Sequence, residues 1–221
     1  MRDQKFGLSV NTILILVNVL LFFVFGLLIK FNVLTIDSIA IKPSNIIQGK
    51  YLWTFLTSMF MHAGFFHLFV NMFSLFFAGV LLQKILGQKR YLYFYLISGL
   101  FAGAFFVGLT FLTKDFSWAT SLVGSVDSLA VGASGALFGL IGLMMFLTPN
   151  LPVYIMFIPI PIKIKYAAPG MLIVLWFISV AGNIPIGNTA HLGGLIAGLV
   201  YGLYLRSRYR NKVRAINKVF R

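Results

Sequence analysis

The chain has 221 residues, of which 60% are hydrophobic and only 10% are charged, whereas about a quarter of the residues in a soluble domain are charged. With a mean hydropathy of +0.96, this composition excludes an ordinary soluble protein and predicts an all-α protein that crosses a membrane several times. The net charge of +14 is carried by short segments between and after the apolar stretches, so it indicates membrane orientation and not nucleic-acid binding.

The acidic residues exclude several kinds of membrane chemistry. All four are aspartates outside the apolar stretches: Asp3, Asp37, Asp115 and Asp127. A metalloprotease of the H-E-x-x-H type needs a glutamate, an intramembrane aspartyl protease needs two carboxylates at membrane depth, and a proton-coupled transporter usually has acidic residues within its spans. Since cysteine is also absent, we expect neither a metal site nor a cofactor.

Six apolar stretches each approach the roughly 20 residues that a helix needs to cross a bilayer. They lie near 11–30, 64–83, 91–112, 130–148, 168–184 and 189–206. We expect one membrane domain over 1–206, with a long first external loop at about 31–63, and a basic tail over 207–221. Six spans place both termini on one side. Fourteen of the 18 basic residues, Arg2 and Lys5 among them, fall on that side, so the positive-inside rule predicts cytoplasmic termini.

Two polar residues lie near the starts of the fourth and sixth stretches. Ser134 lies within Gly132-Ala133-Ser134-Gly135, and His191 begins His191-Leu192-Gly193-Gly194. With cytoplasmic termini, both spans start at the outer face, so both residues are predicted roughly 5–10 Å below it. A neutral imidazole beside a serine can accept the hydroxyl proton, which makes Ser134 a candidate nucleophile and His191 its general base.

Helix packing is the alternative interpretation of these two segments. Gly132 and Gly135 belong to a small-residue face of the fourth span, and Gly194 and Gly198 recur at four-residue spacing in the sixth. Such glycines let membrane helices approach closely. Close approach is also what a serine–histidine hydrogen bond requires, so both interpretations stay open at this point.

The second span carries His67 and Asn71, which are four residues apart and therefore on one helical face. This span also enters from the outer side. An imidazole and an amide, together with the backbone N–H of Ser134, can stabilise the oxyanion of an acyl transfer. The alternatives are interhelical hydrogen bonding by Asn71 and an interfacial position for His67.

Three motifs together carry a family resemblance: His67-x-x-x-Asn71, Gly132-x-Ser134-Gly135 and His191-x-x-Gly194-x-x-x-Gly198. Their order on the second, fourth and sixth of six spans resembles the rhomboid intramembrane serine proteases, over nearly the whole chain. The resemblance implies a six-helix rhomboid-like bundle, a Ser134–His191 dyad without an acidic member, and an oxyanion hole of His67, Asn71 and the Ser134 backbone. It also implies that His62 lies near this hole.

Two positions depart from the usual pattern of that family. Thr54 follows Trp53 where many members have an arginine, and Phe138 stands where a tyrosine often packs on the catalytic histidine. An aromatic ring at 138 keeps that packing and loses only a hydroxyl. Neither departure changes a proton-transfer group, so we expect an active enzyme.

The resulting hypothesis is a multi-pass endopeptidase of a cell membrane, expected in a prokaryotic plasma membrane. It would cleave single-span membrane proteins near the outer face after local unwinding, because a helix hides its carbonyls in hydrogen bonds. A mobile connection containing Pro185 and Gly187 would cap the site, and the tail would contact anionic lipid headgroups. Two other classes stay open, a non-catalytic protein that binds client helices and a small channel or transporter. The sequence predicts no particular oligomeric state.

Overall fold

The computed structural model describes residues 7–155, 159–182, 184 and 186–220. The orienting residues Arg2 and Lys5, the acidic Asp3, the cap residue Pro185 and the terminal Arg221 lie outside the described residues. The helices are, in chain order, α1 (Val10–Lys30), α2 (Pro43–Ile47), α3 (Thr54–Thr57), α4 (Phe65–Leu86), α5 (Gln88–Thr113), α6 (Ser117–Val123), α7 (Ser134–Leu147), α8 (Ile164–Gly182), α9 (Asn188–Arg208) and α10 (Arg210–Val219). Two 3-10 helices (Ile36–Ser38 and Ser58–Phe60) and an antiparallel hairpin of β1 (Pro152–Val153) and β2 (Ile162–Lys163) complete the described structure.

Each of the six apolar stretches contains a long helix. Within the described residues, α1, α4, α5 and α8 are long and apolar enough to cross a membrane. Helix α7 is apolar but has only 14 residues, and α9 carries Arg206 and Arg208 in its last turn. The chain is therefore a multi-pass membrane protein, while six crossings and cytoplasmic termini stay predictions.

Helix α7 is the central element of the bundle. Ten of its 14 residues are buried, compared with three of 21 in α1. Helices α4, α5, α8 and α9 all pack against it. Because these neighbours enclose α7, most of its side chains contact protein instead of lipid, and its hydrophobic residues form the centre of the largest core cluster.

Helices α7 and α9 approach each other through backbone atoms. A Cβ added at Gly194 would overlap the carbonyl oxygen of Gly135, and one at Gly198 would overlap that of Gly139. Any larger residue at 194 or 198 would therefore push the helices apart. This approach is what brings residues near the N-terminal ends of the two helices into contact.

The first loop has its own polar contacts. The indole N–H of Trp53 donates to the carbonyl of Ser38 at 2.8 Å, and the Thr57 hydroxyl donates to the carbonyl of Ile39 at 2.9 Å. Thr54 is fully buried. Lys42 forms ion pairs with Asp37 at 3.6 Å and Asp127 at 3.7 Å. The loop is thus held by hydrogen bonds and by the ion pairs of Lys42.

Three connections differ in detail from a simple series of spans. The prolines of the segment at 149–167 argue against a continuous helix there, and the segment contains the β1–β2 hairpin. Helix α8 then begins at Ile164 instead of near 168, and its residues Ile164 and Ala167 are buried in the core. Helix α6 lies in the connection before α7. Helix α9 continues past 206 to Arg208, and most of the predicted tail forms α10 with Val213 buried.

Candidate active site

The turn before α7 has a conformation that only glycine adopts readily. Gly132 has a φ of +114°, and its N–H donates to the carbonyl of Ser58 at 2.8 Å. A Cβ added there would lie 2.8 Å from Nε2 of His67. Both the backbone conformation and the neighbouring ring therefore require a glycine two residues before Ser134.

Ser134 and His191 are in direct contact. Ser134 is the first residue of α7, and His191 lies one turn into α9. The Ser134 Oγ is 2.8 Å from Nε2 of His191. For Nε2 to accept the serine proton, the neutral ring must carry its own proton on Nδ1. The geometry thus allows proton transfer from the hydroxyl to the imidazole.

The His191 ring is held by an aromatic neighbour and not by an acidic one. Phe138, one turn after Ser134, stacks on the imidazole with ring centroids 4.5 Å apart and an interplanar angle of 18°. The His191 Nδ1 is buried and has no hydrogen-bond partner among the described residues. Of the described aspartates, Asp37 and Asp127 pair with Lys42, and Asp115 is exposed. Within the described chain, the pair therefore has no third, acidic member.

His67 borders the same space as the serine hydroxyl. The position that a Gly132 Cβ would take is 2.8 Å from Nε2 of His67 and 3.7 Å from Oγ of Ser134. The other ring nitrogen, Nδ1, accepts a hydrogen bond from the Ala63 N–H at 3.3 Å. A neutral ring that accepts at Nδ1 carries its proton on Nε2. His67 therefore presents an N–H donor beside Ser134.

Asn71 lies one turn further along α4 and is buried. Its Nδ2 donates to the backbone carbonyl of His67 at 2.8 Å, which leaves the second hydrogen of the amide for another acceptor. Its Oδ1 has no partner within the described chain. The N–H groups in the first turn of α7 add further donors, because the first residues of a helix have no acceptor within it. Ser134 thus lies at the start of a helix that is rich in free donors.

Comparison with known proteins identifies the family. The sequence profile of the Rhomboid domain matches residues 49–208, which contain His67, Asn71, Ser134 and His191. The chain belongs to the rhomboid family. Among the described residues, no group of three or more His, Cys, Asp or Glu side chains is arranged to bind a metal ion.

Several curated rhomboid relatives match about three quarters of this chain. RHOMBOID-like protein 6, mitochondrial, of Arabidopsis thaliana is 36% identical over 173 residues, which is 75% of this chain and 48% of the relative. Inactive RHOMBOID-like protein 8 of the same plant is 31% identical over 153 residues, or 68% of this chain and 37% of the relative. A relative from Bacillus subtilis (strain 168) is 31% identical over 138 residues, 62% of each chain. The chain spans between 36% and 52% of the length of the plant relatives.

His62 contacts the turn before Ser134 in this rhomboid. It lies in the loop ahead of α4, and its Nε2 accepts from the Ala133 N–H at 3.5 Å. Its ring meets the edge of the His67 ring, with centroids 5.1 Å apart. Burial, with a smaller contribution from His67, lowers the pKa of His62 to about 4. His62 is therefore neutral at pH 7, as an acceptor of the Ala133 N–H must be.

Sequence reasoning missed one functional contact of this rhomboid site. The carbonyl of Ser58, in a 3-10 helix of the first loop, accepts from the N–H of Gly132 and so fixes the turn that presents Ser134. Nothing in the residue type signals this contact, because every residue has a backbone carbonyl. Only the fold brings the first loop against the start of α7.

Proposed function

We propose that this chain is an intramembrane serine endopeptidase that cleaves transmembrane segments of membrane proteins through a Ser134–His191 dyad. The observation that carries the proposal is the 2.8 Å separation of Ser134 Oγ and His191 Nε2. Isolated serine hydroxyls are poor nucleophiles, and an adjacent base is what activates them.

In the first step, the Ser134 Oγ attacks the carbonyl carbon of the scissile peptide bond. The hydroxyl proton passes to Nε2 of His191, and the carbonyl oxygen becomes an oxyanion. Donors for this oxyanion are the Nε2–H of His67, the free hydrogen of the Asn71 amide and the Ser134 backbone N–H. The tautomer that the Ala63 contact gives to His67 supports this role.

In the second step, the tetrahedral intermediate collapses. The C–N bond breaks, His191 returns its proton to the leaving amine, and Ser134 keeps the acyl group as an ester. Water then attacks the ester with His191 as general base, which releases the second product and restores the hydroxyl. No further acid is needed, because the same imidazole accepts and donates the proton in each half-reaction.

Phe138 takes part by fixing the orientation of His191. A third residue usually orients the base of a serine hydrolase through a hydrogen bond to Nδ1. Here the Nδ1 has no such partner within the described chain, and the stacked Phe138 ring restricts rotation of the imidazole instead. The packing of an aromatic ring thus replaces the hydrogen bond of an acid.

The substrates proposed for this site are single-span membrane proteins cut near the outer face of a cell membrane. Ser134 and His191 both lie near the N-terminal ends of their helices, which with cytoplasmic termini would face outward. A substrate span must expose an unwound carbonyl to reach the hydroxyl, so spans that contain glycine or proline are expected to be preferred.

Reconstituted protein and a panel of single-span reporter proteins test the proposal. The wild type should cleave at least one reporter and react with a fluorophosphonate probe, and both Ser134→Ala and His191→Ala should abolish cleavage. Ser98→Ala is the matched control, since it removes a buried hydroxyl that lies in α5 beside Gly139. Probe labelling that persists in Ser134→Ala would refute the dyad. One relative is named inactive, and a wild type that neither labels nor cleaves would indicate a non-catalytic protein.

A further inference from the structure

A basic groove lies at the junction of α9 and α10. It has a volume of about 480 Å³. Three arginines, Ser207 and an asparagine contribute its polar lining, and Leu203 and Val213 are its apolar residues. The polar residues used below are Arg206, Arg210, Arg214 and Asn217. The groove lies at the opposite end of α9 from His191, 15 residues and therefore roughly 22 Å away along the helix.

The change of direction at Tyr209 creates this groove. Helix α9 ends at Arg208, Tyr209 has a non-helical φ of −125° and ψ of 42°, and α10 starts at Arg210. Val213 is buried and anchors α10 to the bundle. As a result, basic residues four apart in the sequence line one cavity, although they belong to two helices.

Two other basic residues of this segment, Arg208 and Lys212, lie beside Tyr209. The guanidinium of Arg208 and the amine of Lys212 lie 5.9 Å and 5.8 Å from the centre of the Tyr209 ring, and neither residue lines the groove. The segment therefore carries two separate sets of cations. Among the described basic residues of this segment, only Arg206, Arg210 and Arg214 line the groove.

The positive charge of the groove has no internal counter-charge among the described residues. Both ion pairs among the described residues involve Lys42, which lies in the first loop and not in the groove. The described aspartates follow α1, α5 and α6. Asn217 Oδ1 is buried without a hydrogen-bond partner within the described chain. If the amide of Asn217 rotates by half a turn, its Nδ2 takes the place of Oδ1 and offers a donor there.

We propose that this groove binds the phosphate of an anionic phospholipid headgroup. Guanidinium groups are suited to phosphate because they donate two parallel hydrogen bonds, and three of them line this one cavity. Leu203, which lines the groove, and Val219, which follows Asn217 by two residues, are exposed and apolar, as expected of a headgroup site whose lipid tails continue along the protein. The site is distinct from the proposed catalytic pair and does not depend on it.

Native mass spectrometry of the full chain, released from detergent in the presence of phosphatidylglycerol, tests this assignment. Phosphatidylcholine tests the need for net negative charge, and inorganic phosphate tests whether the lipid is needed. We expect one phosphatidylglycerol to bind at least tenfold more tightly than phosphatidylcholine, with no displacement by equimolar phosphate.

Two triple variants with the same loss of charge separate a defined site from general attraction. Arg206→Gln/Arg210→Gln/Arg214→Gln should lower the affinity for phosphatidylglycerol at least tenfold, and Arg208→Gln/Lys212→Gln/Lys218→Gln should lower it less than threefold. Equal loss in both, or no loss in the first, overturns the proposal. So does displacement of the lipid by equimolar phosphate, which would identify a site for free phosphate. Arg210→Lys keeps the charge and fold but loses the paired hydrogen bonds, and should give an intermediate loss.

Discussion

The ring of Phe138 lies against the ring of His191, with centroids 4.5 Å apart and planes inclined by 18°. Both side chains are buried, and Phe138 is one turn after Ser134 on α7. Helix α7 thus supplies both the proposed nucleophile and the surface that orients its base, so any change in the register of α7 against α9 alters both together.

Replacing Phe138 tests this orientation. Stacking of two aromatic rings is worth about 0.5–1.5 kcal/mol, so Phe138→Leu should lower kcat about threefold to tenfold with KM little changed. Phe138→Tyr keeps the ring and should retain wild-type activity. Cleavage kinetics on one reporter measure both variants, and an equal loss of kcat in the two would show that ring stacking is not the cause.

Gly132→Ala should cause a larger loss of cleavage activity than of folding stability. The added Cβ would meet the His67 ring at 2.8 Å and displace it from Ser134, while a φ of +114° adds strain of about 1–2 kcal/mol. We expect a loss of cleavage of about 100-fold. Gly49→Ala is the matched control, because Gly49 also has a positive φ, of +72°, but has no atom near the added Cβ. It should lose stability to a similar extent and keep its activity, and equal inactivation of the two would contradict the prediction.

Gly198→Ala should destabilise the bundle. The new methyl group would overlap the backbone oxygen of Gly139, and overpacking of this kind costs about 1–3 kcal/mol. Gly108→Ala, in the C-terminal part of α5 with open space at its Cβ, should instead be neutral or stabilising by up to about 1 kcal/mol. Thermal unfolding in detergent measures both variants. If the Gly198→Ala protein were as stable as the wild type, α7 and α9 could move apart with little loss of folding free energy.

His67→Ala and Asn71→Ala should each lower kcat about 100-fold to 1,000-fold, the usual effect of removing one oxyanion donor. KM should change little, since these hydrogen bonds strengthen mainly in the transition state. Asn71→Asp is a sharper variant, because it keeps the size of the side chain and replaces the donor with a negative charge. Single-turnover kinetics separate the chemical step from substrate binding. If the Asn71→Asp enzyme had the wild-type kcat, Asn71 would not be part of the oxyanion hole.

His62 should make stability depend on pH. Its pKa in the folded protein is about 4, below the value of about 6.5 for an unfolded chain. The unfolded state therefore binds more protons between these values, and the contribution of His62 is complete above about pH 6.5 and is lost as the pH falls towards 4. The full effect is on the order of 3 kcal/mol.

His62→Gln isolates this contribution from those of the other histidines. Glutamine offers an acceptor for the Ala133 N–H but does not titrate in this range. The difference in Tm between pH 7 and pH 5 should be smaller in the variant than in the wild type. An identical difference in the two proteins would show that other groups control the pH dependence.

Much of the architecture was predictable from residue type alone. Long apolar stretches must be helical in a membrane, because no water there satisfies the backbone, and all six stretches contain helices. Ser134 and His191 stood out because polar residues are costly at that depth, and their matched positions near the starts of two helices suggested a contact. Less could be said of 210–219, where charge predicted a tail but the burial of Val213 produces a packed helix.

The sequence by itself determined that this is a multi-pass membrane protein with the rhomboid motifs, because hydropathy and motif spacing are local properties of the chain. Only the tertiary structure decided which groups the histidine rings contact and that Ser58 contacts Gly132, together with the gathering of three arginines into one groove. The physical reason is that these features depend on which backbone groups meet across the bundle. Carbonyls and N–H groups are the same at every residue, so their pairing between distant segments leaves no trace in residue type.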